Sequence, residues 1–527
     1  MIRGSLPAAL LLSAFVALGP GCATLPTDYD RPESHALDNT GGTALGKMFA
    51  PRVAAHGGGM SGVYPLRSGY DALAARIGMA NVAERSLDAQ YYIWSGDLTG
   101  KVMLDALIRA ADRGVRVRLL LDDLPAAGYD QALKAFDLHP NAEVRLFNPF
   151  AQRRFRGTEM VARFGRLNRR MHNKAYIADN QVAIVGGRNI GNEYFEAKPE
   201  LDYRDFDVLA VGPVVKEVSD SFDLYWNSEL AVPVSAFERE DRPTQTDLDA
   251  LRQALAQHTR NATESRYGQA VRGGDFVRDA SGGKLPLLWA KAHAVYDDPS
   301  KFATDPNERA SHLGPQLRPY LENLRRELWV ISPYFVPEQS GVDLFKQLEN
   351  AGVQVHILTN SLASTDVTAV FAGYLRYRVP LLQEGVDLYE LKPSAQRAER
   401  RISPLGSVGS SRGSLHAKVF IFDQRAAFVG SMNLDPRSLR LNSELGVIIE
   451  SEEFARALVG IVTEKLASQA YHVELERPVD PEGPSRLVWK TVDKQGKEQT
   501  YTTDPEAGLW RRFSTWFMSI FVPEGQL

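Results

Sequence analysis

The chain has 527 residues, 44% of them hydrophobic, which is too long for one ordinary core and predicts two domains or two fused halves. A formal net charge of -4 excludes a nucleic-acid binder with a positive field over its whole surface and confines any anion site to a local patch. The single cysteine, Cys22, excludes an intrachain disulfide and a cysteine-built metal site.

The chain opens with Arg3, an apolar stretch over residues 6–18, then Gly19, Pro20, Gly21 and Cys22. That layout is a secretory signal (residues 1–22), too short for a comfortable bilayer span. A small residue directly before the cysteine resembles the bacterial lipoprotein lipobox, with Cys22 as the lipidated residue of a membrane-anchored envelope protein. Gly19 stands where that pattern usually has a large apolar residue. Residues 23–62 are rich in Gly, Pro and Ala without a sustained period and read as a flexible tether.

A first folded half is expected over residues 63–236. A helical pattern over 69–83 leads to a strand at 86–94, a helix at 100–113 and a strand at 115–122. Such alternation predicts βαβ units and a mainly parallel sheet. Polar residues 237–283 read as a helical or irregular connector. The same order then recurs in a second half, residues 284–476, with a helix at 317–326, a strand at 328–335, a helix at 341–351 and a strand at 353–359. Even the joints correspond: Gly114 and Gly352 each follow a helix and precede Val-x-Val. Their offset of 238 residues and the offset of 244 at the motif described next indicate an internal duplication with a small insertion. Residues 477–527 add a hairpin at 486–492 and 498–502 and a terminal helix. In that helix Leu509, Trp510, Phe513, Trp516, Phe517, Ile520 and Phe521 form one wide apolar face, suited either to docking on the body or to lying in a lipid interface.

Each half carries His-x-Lys-x4-Asp in an apolar strand: His172, Lys174 and Asp179, then His416, Lys418 and Asp423. Fourteen positions after each His comes a Gly-rich turn, Gly186-Gly-Arg-Asn189 and Gly430-Ser-Met-Asn433. Alternate residues of a strand share a face, so each His and its Lys converge on one ligand. Lysine is a compact charge for a phosphoryl oxygen, Asn189 and Asn433 add neutral donors, and Ser431 adds a hydroxyl on one side only. One imidazole can attack phosphorus while the other protonates the leaving alkoxide, without a metal or another cofactor. From the residues alone either imidazole can take either part. Asp205 and Glu444, in matched returning strands, are candidates to orient the two rings. Asp179 and Asp423 close their strands at turn positions and read as structural. Arg153, Arg154, Arg156, Arg163, Arg166, Arg169 and Arg170 precede the first motif, a basic loop fit for anionic headgroups or for nucleic-acid phosphates.

These motifs resemble the phospholipase D superfamily, whose signature is His-x-Lys-x4-Asp followed by Gly-Ser-x-Asn. Ser332-Pro-Tyr-Phe-Val-Pro337, Thr359-Asn-Ser-Leu-Ala-Ser-Thr-Asp366, Ala372-Gly-Tyr-Leu-Arg-Tyr-Arg378 and Tyr389-Glu-Leu-Lys-Pro393 are similar to its cardiolipin synthase branch, of the bacterial C type. The resemblance implies an α/β fold of two tandem sandwiches related by a pseudo-twofold axis, with the site at their interface. It also implies a phosphatidyl-histidine intermediate with His172 as nucleophile and His416 as general acid. The expected substrates are phosphatidylglycerol and a second phospholipid such as phosphatidylethanolamine, met at a membrane surface, with nucleic acid not expected. The first copy departs from the signature, with Gly187 and Arg188 where Ser and a variable residue are usual.

Overall fold

The computed structural model describes residues 24–153, 156–198, 201–237, 242–283, 285–393, 412–476, 485–493, 495–521 and 523–526. Cys22, Arg154 and nearly all of the 394–414 loop lie outside these residues.

Each half is a mixed sheet with helices outside it. In the first half, Ser86–Tyr91, Arg116–Asp122 and Ala142–Phe147 pair in parallel. Against the edge of this trio lies an antiparallel run of Ala175–Ala178, Val182–Gly186, Asp207–Val211 and Ser61–Leu66. The second half repeats the order. Glu327–Ile331, Gln354–Asn360 and Asp387–Leu391 are parallel, followed by antiparallel Lys418–Phe422, Ala426–Gly430, Leu445–Glu450 and Leu288–Tyr296. The mainly parallel sheet expected from the βαβ alternation is therefore only half right. The motif strands are short neighbours in sequence and close as hairpins, a connection that only antiparallel strands can use.

Local chemistry sets the element ends. The Asp97 side chain caps the Leu98–Asp112 helix at Gly100 N, and Gly114 (φ +93°) and Gly352 (φ +83°) supply the left-handed residue after equivalent helices. The motif hairpins turn through paired left-handed residues, Asp179 and Asn180, then Asp423 and Gln424, all with φ of 52°.

The two sheets are stitched at one edge, where residues 61–63 pair antiparallel with residues 288–290. Their inner faces share one core: Ala175, Ile177, Val185 and Val208 pack in the same buried cluster as Trp329, Ile331, Val419 and Val447. Burying one such large side chain contributes roughly 1.5–3 kcal/mol, so the shared layer fixes one half firmly on the other.

The expected tether at 23–62 is not a tether where it is described. Residues Ala44–Ala55 form a helix that buries Leu45 and Phe49, and Ser61 already belongs to a strand. Before that helix, Ser34 N and Ala36 N donate to Asn227 and Asp223. Low periodicity concealed a segment held mainly by polar contacts to the first half. The connector is three helices, Gln245–Glu264, Arg266–Arg272 and Asp275–Ser281, and the first of these packs on Leu98–Asp112.

Candidate active site

The motif strands run side by side with their own hairpin partners, which leaves each His-x-Lys at the seam between the halves. What crosses the seam is the backbone of the opposite half. His172 N donates to Ser443 O at 2.9 Å, and His416 N donates to Arg204 O at 2.8 Å. The next residues are Glu444 and Asp205, so each crossing delivers a carboxylate to the other half's imidazole. His172 Nδ1 lies 2.8 Å from Glu444 Oε2, and His416 Nδ1 lies 2.6 Å from Asp205 Oδ2. With Nδ1–H donating to a carboxylate, Nε2 keeps its lone pair for chemistry.

Lys174 Nζ donates to His172 O at 2.6 Å and Lys418 Nζ donates to His416 O, so each ammonium curls beside its own histidine. Tyrosines wall the site. Tyr92 packs edge-on against His172 with centroids 5.3 Å apart, while Tyr194 and Tyr203 flank His416 at 5.1 and 5.0 Å. Lys174 sits over Tyr92 and Lys418 over Tyr334, each 5.9 Å from the ring. Tyr203 and Tyr334 both donate their hydroxyls to Asp366.

Burial is nearly complete, with 10% of the His172 side chain and 6% of the His416 side chain still exposed. Burial pulls the His172 imidazole down to about 4 against the opposing pull of Glu444, so it rests neutral at neutral pH. Burial likewise lowers His416. Burial raises a carboxyl, yet Glu444 and Asp205 both stay below their ordinary values because His172 and His416, with Lys174 and Lys418, favour the ionised form. The lysines are lowered by burial, Lys174 to about 7 and Lys418 to about 8. The site thus holds two carboxylates, two neutral imidazoles and two easily deprotonated amines. An anion between the amines would restore their charge.

Ser431 departs from its expected place against a phosphate. Its hydroxyl is 2.5 Å from Glu444 Oε2 and accepts from Leu445 N, so it holds the carboxylate that holds His172. The corresponding residue of the first half, Gly187, leaves room for a shorter acid: a Cβ there would lie 2.2 Å from Asp205 Oδ1. The missing serine is thus matched to the exchange of Glu for Asp. Asn189 is partly committed as well, accepting from Ile93 N and donating to the Tyr194 hydroxyl. Asn433 differs, with a buried Oδ1 that has no partner among the described residues.

Asp179 accepts from the backbone N–H groups of Glu84, Arg85 and Ser86, and Asp423 does the same for Arg325, Arg326 and Glu327. Both carboxylates are spent on the start of a neighbouring strand, away from the imidazoles. The basic loop is also spent largely on the protein itself. Arg153 and Arg156 bind Asp123 and Asp130, Arg170 binds Asp122, and Arg169 donates to the carbonyls of Lys301, Phe302 and Thr304. A count of arginines could not show that Asp122, Asp123 and Asp130 fold back onto them.

Tyr92, Tyr194, Tyr203 and Asn173 were not singled out from the sequence. Tyr92 and Tyr334 both follow the first strand of a parallel trio, but the repeat offsets of 238 and 244 carry Tyr334 back to Gly96 and Gln90, so the duplication alone does not point to Tyr92. Nothing in the sequence placed Tyr203 or Asn173, whose Oδ1 accepts from Ser443 across the seam at 2.6 Å.

Similarity to known proteins follows the same halves. Residues 76–226 and 317–464 match the family described as "Cardiolipin synthase, PLD-like domain". The chain is 40% identical to cardiolipin synthase C of Escherichia coli over 467 residues, covering 88% of this chain and 96% of the relative. It is 30% identical to an uncharacterized protein of Helicobacter pylori over 92% of this chain and 93% of that one. A crystal structure of phosphatidylserine synthase from Haemophilus influenzae superposes with a TM-score of 0.51 at 14% identity, covering 80% of this chain and 91% of that chain, a likeness of fold. With the family matched in both halves and a relative aligned over nearly its whole length, the chain belongs to the phospholipase D-like cardiolipin synthase family.

Proposed function

We propose that the protein is a phosphatidyltransferase that makes cardiolipin from phosphatidylglycerol and a second phospholipid, working at a membrane surface of the bacterial envelope. The observation that carries this reading is the pair of crossed imidazole–carboxylate contacts with a lysine beside each, gathered in one buried site.

In the first step His172 Nε2 attacks the phosphorus of the donor phosphodiester. The bond to the headgroup oxygen breaks, and that oxygen takes its proton from His416 Nε2. Lys174, Lys418 and Asn433 hold the non-bridging oxygens as charge gathers in the five-coordinate transition state. Glu444 stabilises the cationic ring of the phosphatidyl-histidine. In the second step His416 takes the proton of a phosphatidylglycerol hydroxyl, whose oxygen attacks phosphorus and expels neutral His172. Burial lowers both rings, so the choice of His172 for attack rests on the family resemblance, and the negative phosphodiester raises its neighbours so that His416, 2.6 Å from Asp205, can carry the proton. Water reaching the intermediate would give hydrolysis instead. Among the described residues no helix is long and apolar enough to cross a membrane. Anchoring is assigned to a lipid on Cys22.

Mass spectrometry of lipids from cells expressing wild type, His172→Ala and His416→Ala tests the activity. Cardiolipin should rise with wild type alone, and equal cardiolipin in all three would overturn the reading. Purified protein that releases phosphatidic acid without forming cardiolipin would make it a hydrolase.

A further inference from the structure

The C-terminal helix Leu509–Phe521 is amphipathic in the reverse sense of a docked helix. Its polar side faces the body: Thr515 is buried, Arg511 donates to Thr365 O at 2.6 Å, and Arg512 donates to Asp504 O at 2.6 Å. Arg376, from the body, donates to Ser519 O. Its apolar side faces outward. Leu509 and Trp510 are 80 and 77% exposed, and Phe513, Trp516, Phe517, Ile520 and Phe521 are all more than half exposed. The rings pack on one another along the helix, from Trp510 to Phe513 and from Phe517 to Phe521. Hydrogen bonds to main-chain carbonyls therefore hold this row of aromatic side chains in water, which is costly unless something apolar meets it.

The position of the helix identifies what meets it. Near its start, Thr365 precedes Asp366, the acceptor of the Tyr203 and Tyr334 hydroxyls beside His416 and Lys418. Past its end, Gln526 accepts from Asn168, four residues before His172, and Gln526 O accepts from Arg437, four residues after Asn433. Thirteen helical residues span about 20 Å, so the helix bridges surroundings of both motifs. The exposed side chains of Val161 and Phe164 lie a few residues before Asn168, and half-exposed Val367 lies beside Asp366. Trp and Phe set this way match the interfacial layer of a bilayer, where the apolar ring sinks and nearby polar groups stay wet.

We infer that the 509–521 helix seats the protein on a phospholipid bilayer, lying in the interface so that the site between the two motifs opens toward headgroups. The inference deepens the phospholipid reading above and rests on it for the substrate. A second copy seated on this face would cover the surroundings of both motifs that the helix bridges.

Tryptophan quenching tests this on the full chain. Of the seven tryptophans only Trp510 and Trp516 are exposed, so vesicles of brominated phosphatidylglycerol and phosphatidylethanolamine report on this helix whether or not a lipid anchor holds the protein nearby. Wild-type emission should fall by a third or more, and the Trp510→Phe/Trp516→Phe protein should lose most of that quenching. Equal quenching in the two proteins, or none in wild type, would overturn the inference. Phe513→Glu/Phe517→Glu should lower the ratio of turnover on vesicles to turnover on dispersed short-chain phospholipid about tenfold, and an unchanged ratio would count against docking. A wild-type dimer that this variant dissolves, without quenching in either form, would assign the face to a second copy. Quenched wild type that transforms no phospholipid would keep the docking surface and overturn the activity instead.

Discussion

Replacing Glu444 by Gln removes one charge while keeping an acceptor for both His172 Nδ1–H and the Ser431 hydroxyl. As His172 is phosphorylated its ring becomes cationic, with the carboxylate oxygen 2.8 Å from Nδ1. Taking about 4 Å between charge centres and an effective dielectric near 20 gives about 4 kcal/mol of transition-state attraction. At about 1.4 kcal/mol per decade that is roughly a thousandfold in the rate of forming the intermediate. Rapid-quench measurement of phosphatidyl-enzyme on wild type and Glu444→Gln reads this step directly, and a melting curve shows whether the fold is kept. Asp205→Asn should lose a comparable factor by a different route, since Asp205 serves the ring that protonates the leaving oxygen. With a phosphodiester whose leaving group is an acidic phenol, needing no proton, the Asp205→Asn defect should shrink while the Glu444→Gln defect stays. A loss below tenfold in correctly folded Glu444→Gln would refute the role of the carboxylate. A rescue pattern reversed between the two variants would exchange the roles of His172 and His416.

Four further outcomes are expected. Gly187→Ser should cut turnover severely with little change in melting temperature, because the added Cβ displaces Asp205; wild-type turnover would show that Asp205 tolerates the shift. Asp179→Ala strips the acceptor from three backbone N–H groups at a buried position and should destabilise by about 3–5 kcal/mol, read by denaturant unfolding, while folded protein retains its rate. For the free enzyme, kcat/KM should fall as pH drops through about 4, where His172 gains a proton and loses its attacking lone pair. It should fall again as pH rises, first as His416, lowered by burial, loses the proton it gives to the leaving oxygen, and then through about 7 to 8, where Lys174 and then Lys418 lose the charge that receives the phosphodiester. In a pH–rate series Lys174→Arg should remove the step near 7 from the alkaline limb, since a guanidinium stays charged, at a cost in overall rate from its different shape.

The duplication was legible because a strand motif, a turn and a helix end recur at nearly constant offsets, and chance does not preserve three such features together. His172, Lys174, His416 and Lys418 converge as alternation on a strand requires. Glu444 and Asp205 were visible as acids in returning strands, but not which ring each would serve. That assignment depends on Ser443 and Arg204 accepting from the opposite motif, contacts between residues more than 200 positions apart. Composition misled at both ends of the first half. Glycine and proline in 23–62 concealed a helix that buries only Leu45, Gly46 and Phe49, and the arginines before His172 gave no sign of the aspartates that neutralise them. The terminal helix had the right period, but a period cannot say which face turns inward; here Arg511 decided it by finding the Thr365 carbonyl on the body.

The crossed carboxylates also act as a check on assembly. A chain with only its first half folded has His172 without Glu444, and one with only its second half folded has His416 without Asp205. Neither imidazole is then held in the tautomer that leaves Nε2 free. A nascent or misassembled molecule therefore lacks an oriented imidazole, and activity becomes a reporter of complete folding. Separately expressed halves should be inert alone and active only when mixed.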